Sequence, residues 1–338
     1  MVRLRRVSAE QPGWTRRRAG RGFVYLDDSG ARLPDDATAR IRTLAIPPAW
    51  EDVWICPRDN GHLQAIGTDA AGRRQYLYHP DWRAKRDQEK FDRVLKLGGV
   101  LPDVRERTER DLSKIGMTDA RAAALAVRLL DLGYFRIGSD VYADEHGGFG
   151  LTTLERRHVH KRGDSFVFTF TGKSGVDHTI SIDDPLSVEA ISHLRRRRAG
   201  FEELLAYRRG RRWQRLTAAM VNDYVREVSG LEASAKDFRT WHATVLASLA
   251  LAEDTDAEGA APKARSRHKQ QVAAIKEVAE YLGNTPAVAR NSYVDPRVLE
   301  LHEQGHTIVL RDGASRDPQE RQATAERAVL RLLAQDDG

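Results

Sequence analysis

The stretch Gly283-Asn284-Thr285-Pro286-Ala287-Val288-Ala289-Arg290-Asn291-Ser292-Tyr293, followed by Val294-Asp295-Pro296, decides how this chain is read. Pro286 is placed to open a short helix, and Tyr293 presents a phenol just past its end, with the amide of Asn284 upstream. Three cations precede this stretch in order: Arg136 in LGYFRIGSD, Lys173 in FTGKSG and Arg239 in KDFRTWHAT. Attack on a phosphodiester brings a nucleophile to a group that is already anionic, and charge grows on the non-bridging oxygens toward a pentacoordinate transition state. Planar guanidiniums meet two oxygens at once and stay charged, so Arg136 and Arg239 suit that task better than lysines would. A phenol, with an ordinary pKa of about 10, needs a positive field or a proton acceptor to act as nucleophile. Two guanidiniums, an ammonium and a phenol are what phosphoryl transfer to tyrosine needs without a metal. Each group also has a plain reading: a surface arginine, a solvated hairpin tip at Lys173, a helix end at Gly283-Asn284.

The blocks RQYLYHPDWRAKRDQEKFDR, GYFRIGSDVY with GLTTLERRHV, TGKSG, KDFRTWHAT and LGNTPAVARNSYVDP occur in this order. On them the chain resembles the small type IB DNA topoisomerases, the bacterial and poxvirus-like group, over roughly residues 20–310. The resemblance implies a DNA topoisomerase that relaxes supercoiled duplex DNA. Tyr293 would form a 3′-phosphotyrosyl link, the free end would rotate, and reversal would reseal the strand, with neither ATP nor metal as cofactor. It assigns Arg136 and Arg239 to the phosphate oxygens and Lys173 to protonation of the departing 5′-oxygen. Asn284 departs from the poxvirus-like pattern, which carries histidine there. An amide donates a hydrogen bond but does not titrate near neutrality, so its role is transition-state stabilisation. The resemblance also carries Gln75, Tyr76 and Tyr78 to the DNA major groove, and Tyr142 to a further DNA contact. Its implied partner is double-stranded DNA, clamped by a monomer between two domains.

Composition agrees with a polyanionic partner. The chain has 338 residues, 55 Lys+Arg against 49 Asp+Glu, a net charge of +6 and a pI near 9.4. The single cysteine, Cys56, excludes an intramolecular disulfide framework and fits a reducing compartment. No apolar run is long enough to span a bilayer, and the start MVRLRRVSAEQPG lacks a signal-peptide core. The expectation is a cytoplasmic protein at the nucleoid, without a membrane partner.

The expected fold class is α+β: a small antiparallel β-rich N-terminal domain, then a larger, mainly α catalytic domain with a β-hairpin, related to the tyrosine recombinases. Residues 1–21 read as a mobile basic arm and 22–80 as the β-rich DNA-binding domain, with a hairpin turning at Asp69-Ala70-Ala71-Gly72. Residues 81–312 read as the catalytic domain, including a flexible loop at 253–267, and 313–338 as a tail or helix. Helices are expected from Trp82 to Leu97, stopped by Gly98-Gly99; from Pro102 to Ile115; and from Thr118, as N-cap, to Leu132, closed by Gly133. Others are expected over 186–207, 214–228, 236–252 and 268–282, with Lys173 at the tip of a hairpin over 165–182. The runs Arg195–Arg198 and Arg208–Arg212 read as solvated faces open to phosphates.

His302-Glu303-Gln304-Gly305-His306 matches the H-E-x-x-H zinc pattern. That chemistry needs both imidazoles on one continuous helix face, and Gly305 is expected to end the helix first; Glu326 would be the distant third ligand. No metal site is therefore expected. A tyrosine recombinase is the nearest competitor, but Lys236 stands where recombinases commonly place histidine. A non-catalytic DNA-binding protein would need an incomplete catalytic set, and all five positions are filled.

Overall fold

Alternating side chains between turn residues build an antiparallel sheet at the start of the chain. The computed structural model describes residues 3–138, 148–198, 200–253, 264–310 and 318–334, and contacts divide the chain into two units, Met1–Lys90 and Phe91–Gly338. In the first unit, strands β1 (Trp14–Ala19), β2 (Gly22–Leu26), β3 (Glu51–Ile55), β4 (Leu63–Thr68) and β5 (Arg74–Tyr78) lie in the order β2-β1-β3-β4-β5. Helix α1 (Asp35–Thr43) buries Ile41 with Leu33, Val53, Ile55 and Ala65. The β4–β5 turn is held by Asp69, whose carboxylate accepts the N–H groups of Ala71 and Arg73 at 2.9 and 3.0 Å.

The expected arm over residues 1–21 is not one. Its arginine-rich part is β1, paired on both edges, and Arg5 is bridged to Gly61. The charge that suggested mobility serves the fold. Arg16 donates to the carbonyls of Ile46, Pro47 and Trp50, and its guanidinium lies 4.2 Å over the Phe23 ring.

The second unit is mainly helical. It comprises most of α2 (Pro80–Leu112), then α3 (Asp119–Gly133), α4 (Pro185–Arg195), α5 (Ala218–Ser229), α6 (Ala235–Glu253), α7 (Ala264–Leu282), α8 (Pro286–Ser292), α9 (Pro296–Glu303) and α10 (Pro318–Ala334). A sheet of β6 (Val159–Arg162), β7 (Ser165–Thr171) and β8 (Asp177–Ile182) and the hairpin β9 (Ala206–Arg209) and β10 (Arg212–Arg215) complete it. Most of the loop expected over 253–267 lies outside the described residues; from Ala264 the chain is helical.

The helix expected from 214 begins at Ala218, because Arg212–Arg215 is strand β10 and Thr217 is the cap, and three further limits differ for packing reasons. Helix α2 runs through Gly98-Gly99 and Pro102, because Gly98 is a seat for Trp241 of α6. A Cβ there would fall 2.6 Å from that indole. Gly133 is the last residue of α3, not its cap: the Phe135 ring occupies the space of a Cβ, and Tyr134 takes the left-handed conformation instead. Helix α4 stops at Arg195, and of the run Arg195–Arg198 two residues, Arg196 and Arg198, are exposed while one is not. Arg197 is buried and donates to the carbonyls of Phe201, Glu203 and Leu204, folding the loop around itself. By contrast Thr118 caps α3 as expected, accepting the Arg121 N–H at 3.1 Å.

Helix α9 ends at Glu303, ahead of Gly305 with its φ of 92°, so His302 and His306 do not share a helical face. Among the described residues no group of three or more His, Cys, Asp or Glu could hold a metal, and none of their helices is long and apolar enough to cross a membrane. Glu326 is committed elsewhere. Arg105 of α2 grips Asp131 of α3 with two bonds of 2.8 and 3.0 Å and Glu326 of α10 with two of 2.7 and 2.8 Å. His242 of α6 closes the cluster, 3.1 Å from Asp131. Burial alone would raise the Asp131 carboxyl, but the charge of Arg105 and hydrogen bonds from His242 and Arg105 outweigh it and hold it well below the ordinary range.

In an exposed helix Gly→Ala stabilises by about 1 kcal/mol, so Gly99→Ala, with open space around it, raises the urea midpoint. Gly98→Ala must displace Trp241 and lowers stability by about 1–3 kcal/mol. Arg105→Ala leaves two carboxylates buried together and costs about 3–5 kcal/mol near neutrality. The pH dependence changes sign. In the wild type Asp131 is depressed, so its contribution is present above the unfolded carboxyl pKa and is lost in acid. In the variant the folded carboxyls are raised, so unfolding experiments show stability increasing from neutrality to about pH 5.

Candidate active site

The end of α7 organises the site. Gly283, at a φ of 59°, turns the chain out of the helix, and the Asn284 N–H closes back on the Ala279 carbonyl at 2.8 Å. The freed carbonyls at this negative helix end receive two guanidiniums. Arg239 Nη2 donates to Leu282 O at 2.9 Å, and Arg136 Nη2 donates to Gly283 O at 2.8 Å. Arg136 also donates to Asn284 Oδ1 at 2.6 Å, which points the amide nitrogen the other way.

Arg136 reaches this place through Tyr134, a non-glycine residue at a φ of 54°. That conformation costs about 1–2 kcal/mol. It persists because the neighbours fix it. The Tyr134 carbonyl accepts Arg239 Nη1, and its ring meets His242 and Tyr281 edge-on at 4.8 and 5.1 Å. Phe135, fully buried against Phe168 and Phe170, holds the next residue.

Tyr293 follows α8, which Thr285 caps by accepting the Val288 N–H at 3.3 Å. Beyond it Asp295 caps α9 and is itself held by Arg297 at 2.8 Å. Thr244 of α6 donates to Thr240 O at 2.9 Å and accepts the Asp295 N–H at 3.1 Å, with its hydroxyl oxygen 3.4 Å from Tyr293 O. The half-buried Tyr293 ring then lies 5.4 Å from the Arg239 guanidinium and 5.9 Å from the Lys236 ammonium. Arg239 is 4% exposed. Burial and the neighbouring charge of Arg136 lower its pKa to about 10, against the opposing effect of Tyr293, so it stays charged at neutrality. Arg136 Nη1, Arg239 Nε and Asn284 Nδ2 are buried without a hydrogen-bond partner among the described residues. Buried donors of this kind cost free energy unless an acceptor arrives. The arrangement is a preformed anion site with a phenol beside it.

Of the five expected residues, Arg136, Arg239, Asn284 and Tyr293 thus meet in one cluster. Lys173 stands exposed at the tip of the β7–β8 hairpin, in a tight turn where Ser174 has a φ of 65°. Its hairpin is tied to the cluster by His178 of β8, a residue sequence reasoning passed over. A Cβ on Gly172 would fall 2.8 Å from this imidazole, and one on Gly283 2.5 Å from it. Tyr134 and Thr244 were missed as well. Thr244 ends the quoted KDFRTWHAT block, but a left-handed tyrosine leaves no mark in sequence.

In the first unit the pleat of β5 separates the expected DNA contacts. Tyr76 and Tyr78 share a face, stacked at 6.2 Å and 13°, with Tyr76 51% exposed. Gln75 alternates to the other face with Leu77, which packs on the core, and its amide donates to Asp69 at 2.9 Å. Tyr142 lies outside the described residues.

Comparison with known proteins shows the family. Residues 79–308 match the family model for the eukaryotic DNA topoisomerase I catalytic core, and residues 22–69 that for the bacterial DNA topoisomerase IB N-terminal domain. The chain is 30% identical over 296 residues to DNA topoisomerase 1B of Acanthamoeba polyphaga mimivirus, covering 86% of this chain and 88% of the relative. It is 24% identical over 239 residues to DNA topoisomerase I of Monkeypox virus and to DNA topoisomerase 1B of Vaccinia virus (strain Copenhagen), covering 70% of this chain and 71% of each relative.

Proposed function

The chain belongs to the type IB DNA topoisomerase family, whose members are isomerases, and from that premise we propose that it relaxes supercoiled duplex DNA through a phosphotyrosyl intermediate at Tyr293. The observation that carries the assignment is the phenol of Tyr293 beside the buried Arg239, next to unpartnered donors of Arg136 and Asn284. In this reading the scissile phosphate supplies the missing acceptors. Tyr293 Oη attacks phosphorus, the bond to the 5′-oxygen breaks, and Lys173 gives that oxygen its proton. The phenol's own proton passes to solvent. The guanidiniums and the Asn284 amide meet the charge that grows on the equatorial oxygens, in a site where donors need no rearrangement. Rotation of the free end relaxes torsion. The 5′-hydroxyl then attacks the phosphotyrosine, Lys173 takes back the proton, and the strand is resealed with its bond energy conserved, so the cycle needs no nucleotide and no metal.

Other tyrosines are poor substitutes. Tyr224 is buried and donates to Asp111 at 2.9 Å, which with burial raises its pKa. Tyr281 packs its ring edge on Tyr134. For DNA binding, the Tyr76–Tyr78 face with exposed Arg74 offers stacking and phosphate contacts, a reading that leaves Gln75 to its turn.

Tyr293→Phe removes one oxygen from a half-buried ring. DNA affinity changes by less than about tenfold, or 1.4 kcal/mol, while plasmid relaxation and the covalent adduct both vanish. Mass spectrometry of the denaturant-trapped wild-type complex finds the DNA remnant on the Tyr293 peptide; an adduct on another tyrosine would overturn the assignment. Relaxation of both positive and negative supercoils persists in EDTA without ATP, and strict dependence on an added divalent ion would count against the cycle above.

A further inference from the structure

The mechanism above uses a lysine on a hairpin and an anion site on a helix end, and one side chain stands between them. His178 lies opposite Phe170 in the β7–β8 ladder and stacks on it at 5.2 Å and 24°. Phe170 in turn stacks on Phe135, the neighbour of Arg136, at 6.0 Å and 13°. The face of the imidazole is thereby tied to the segment that delivers Arg136. Its edge enters a slot lined by two glycines. A Cβ on Gly172 would fall 2.8 Å from both Cδ2 and Nε2, and a Cβ on Gly283 2.5 Å from Cε1 and 3.2 Å from Nε2. Real Cβ atoms do not come so close, so the ring fills space that any other residue at either position would occupy. Gly172 precedes Lys173, and Gly283 precedes Asn284 while its carbonyl accepts Arg136.

We propose that His178 is a positioning residue, a spacer whose ring sets where Lys173 stands relative to the phosphate donors of Arg136 and Asn284. The inference rests on the reading of Lys173 as the leaving-group acid. An imidazole suits the place because it is flat enough for the slot. It is also kept neutral there: burial first, then the charges of Arg136 and Arg239, lower its pKa, with Asp177 opposing them. It adds no further positive charge to that of Arg136 and Arg239. It acts through the hairpin.

The test compares cleavage of an ordinary duplex with that of a duplex carrying a 5′-bridging phosphorothiolate, whose thiolate leaves without a proton. His178→Ala opens the slot and lets the hairpin shift. A misplacement of about 1 Å costs on the order of 10²-fold, so single-turnover cleavage of the ordinary duplex slows by about that factor. DNA affinity is unchanged, and cleavage of the phosphorothiolate returns to the wild-type rate. Gly172→Ala, at an allowed φ of −92°, presses on the ring from the hairpin side and gives the same selective loss. It carries the test by itself if the alanine variant at 178 does not fold. The double variant places a methyl group in the emptied slot and recovers activity relative to either single one, a coupling that independent structural damage would not produce. Equal slowing on both duplexes, or no slowing on either, overturns the inference. Lys173→Ala run in parallel separates the two claims. If it remains slow on the phosphorothiolate, the reading of Lys173 fails and the inference falls with it. If it recovers while His178→Ala does not, the inference alone fails.

Discussion

A guanidinium held almost wholly out of water, that of Arg239, is the interaction on which the rest of the site depends. Desolvating such a charge is costly, and among the described residues no carboxylate stands against it. Its bonds go to two main-chain carbonyls, Tyr134 O at the exit of α3 and Leu282 O at the end of α7. Two helix ends are therefore drawn to one side chain on a third helix. Tyr134 accepts a left-handed backbone to present its carbonyl, and Gly283 takes a positive φ to release Leu282 and its own oxygen. Arg136 and Asn284 then fall beside Arg239, and in the proposed reaction the charge left uncompensated meets the incoming phosphate.

A site of this kind needs a stiff support, and α6 supplies it. The helix is anchored on one side where the Trp241 indole lies on the bare backbone of Gly98 in α2. Arg93 of α2 holds Asp237 in its first turn at 3.0 Å, and His242 joins the Arg105–Asp131–Glu326 cluster. Arg239 thus sits on a helix tied to α2, α3 and α10, with Thr244 of the same helix fixing the backbone after Tyr293. Preorganisation here follows from buried charge and ring packing more than from the loops that carry the reacting groups.

The hairpin that carries Lys173 is coupled to this support differently. Aromatic stacking from Phe135 through Phe170 to His178 runs along β7 and β8 and ends between Gly172 and Gly283. Helix end and hairpin tip are distant in sequence, and the ring brings them into contact.

Much of this was legible in the chain itself. The cap at Thr118, the β7–β8 hairpin and the helix stop at Gly305 rest on local rules of capping and turn geometry, while the set Arg136, Lys173, Arg239, Asn284 and Tyr293 was read from its chemistry together with the family resemblance. Local rules failed where a residue answers to a distant partner. Gly98 reads as a helix stop and is a seat for Trp241; Gly133 reads as a cap and makes room for Phe135; Arg16 of β1 and Arg197 read as parts of charged runs and hold loop carbonyls. Gln75 was grouped with Tyr76 and Tyr78, though the pleat of a strand sends neighbours to opposite faces. The residue types and their order were thus determined by sequence alone. Which glycine yields to which ring, which backbone turns left-handed, and where His178 stands were decided by tertiary packing, because excluded volume and desolvation act between atoms that the chain brings together only when folded.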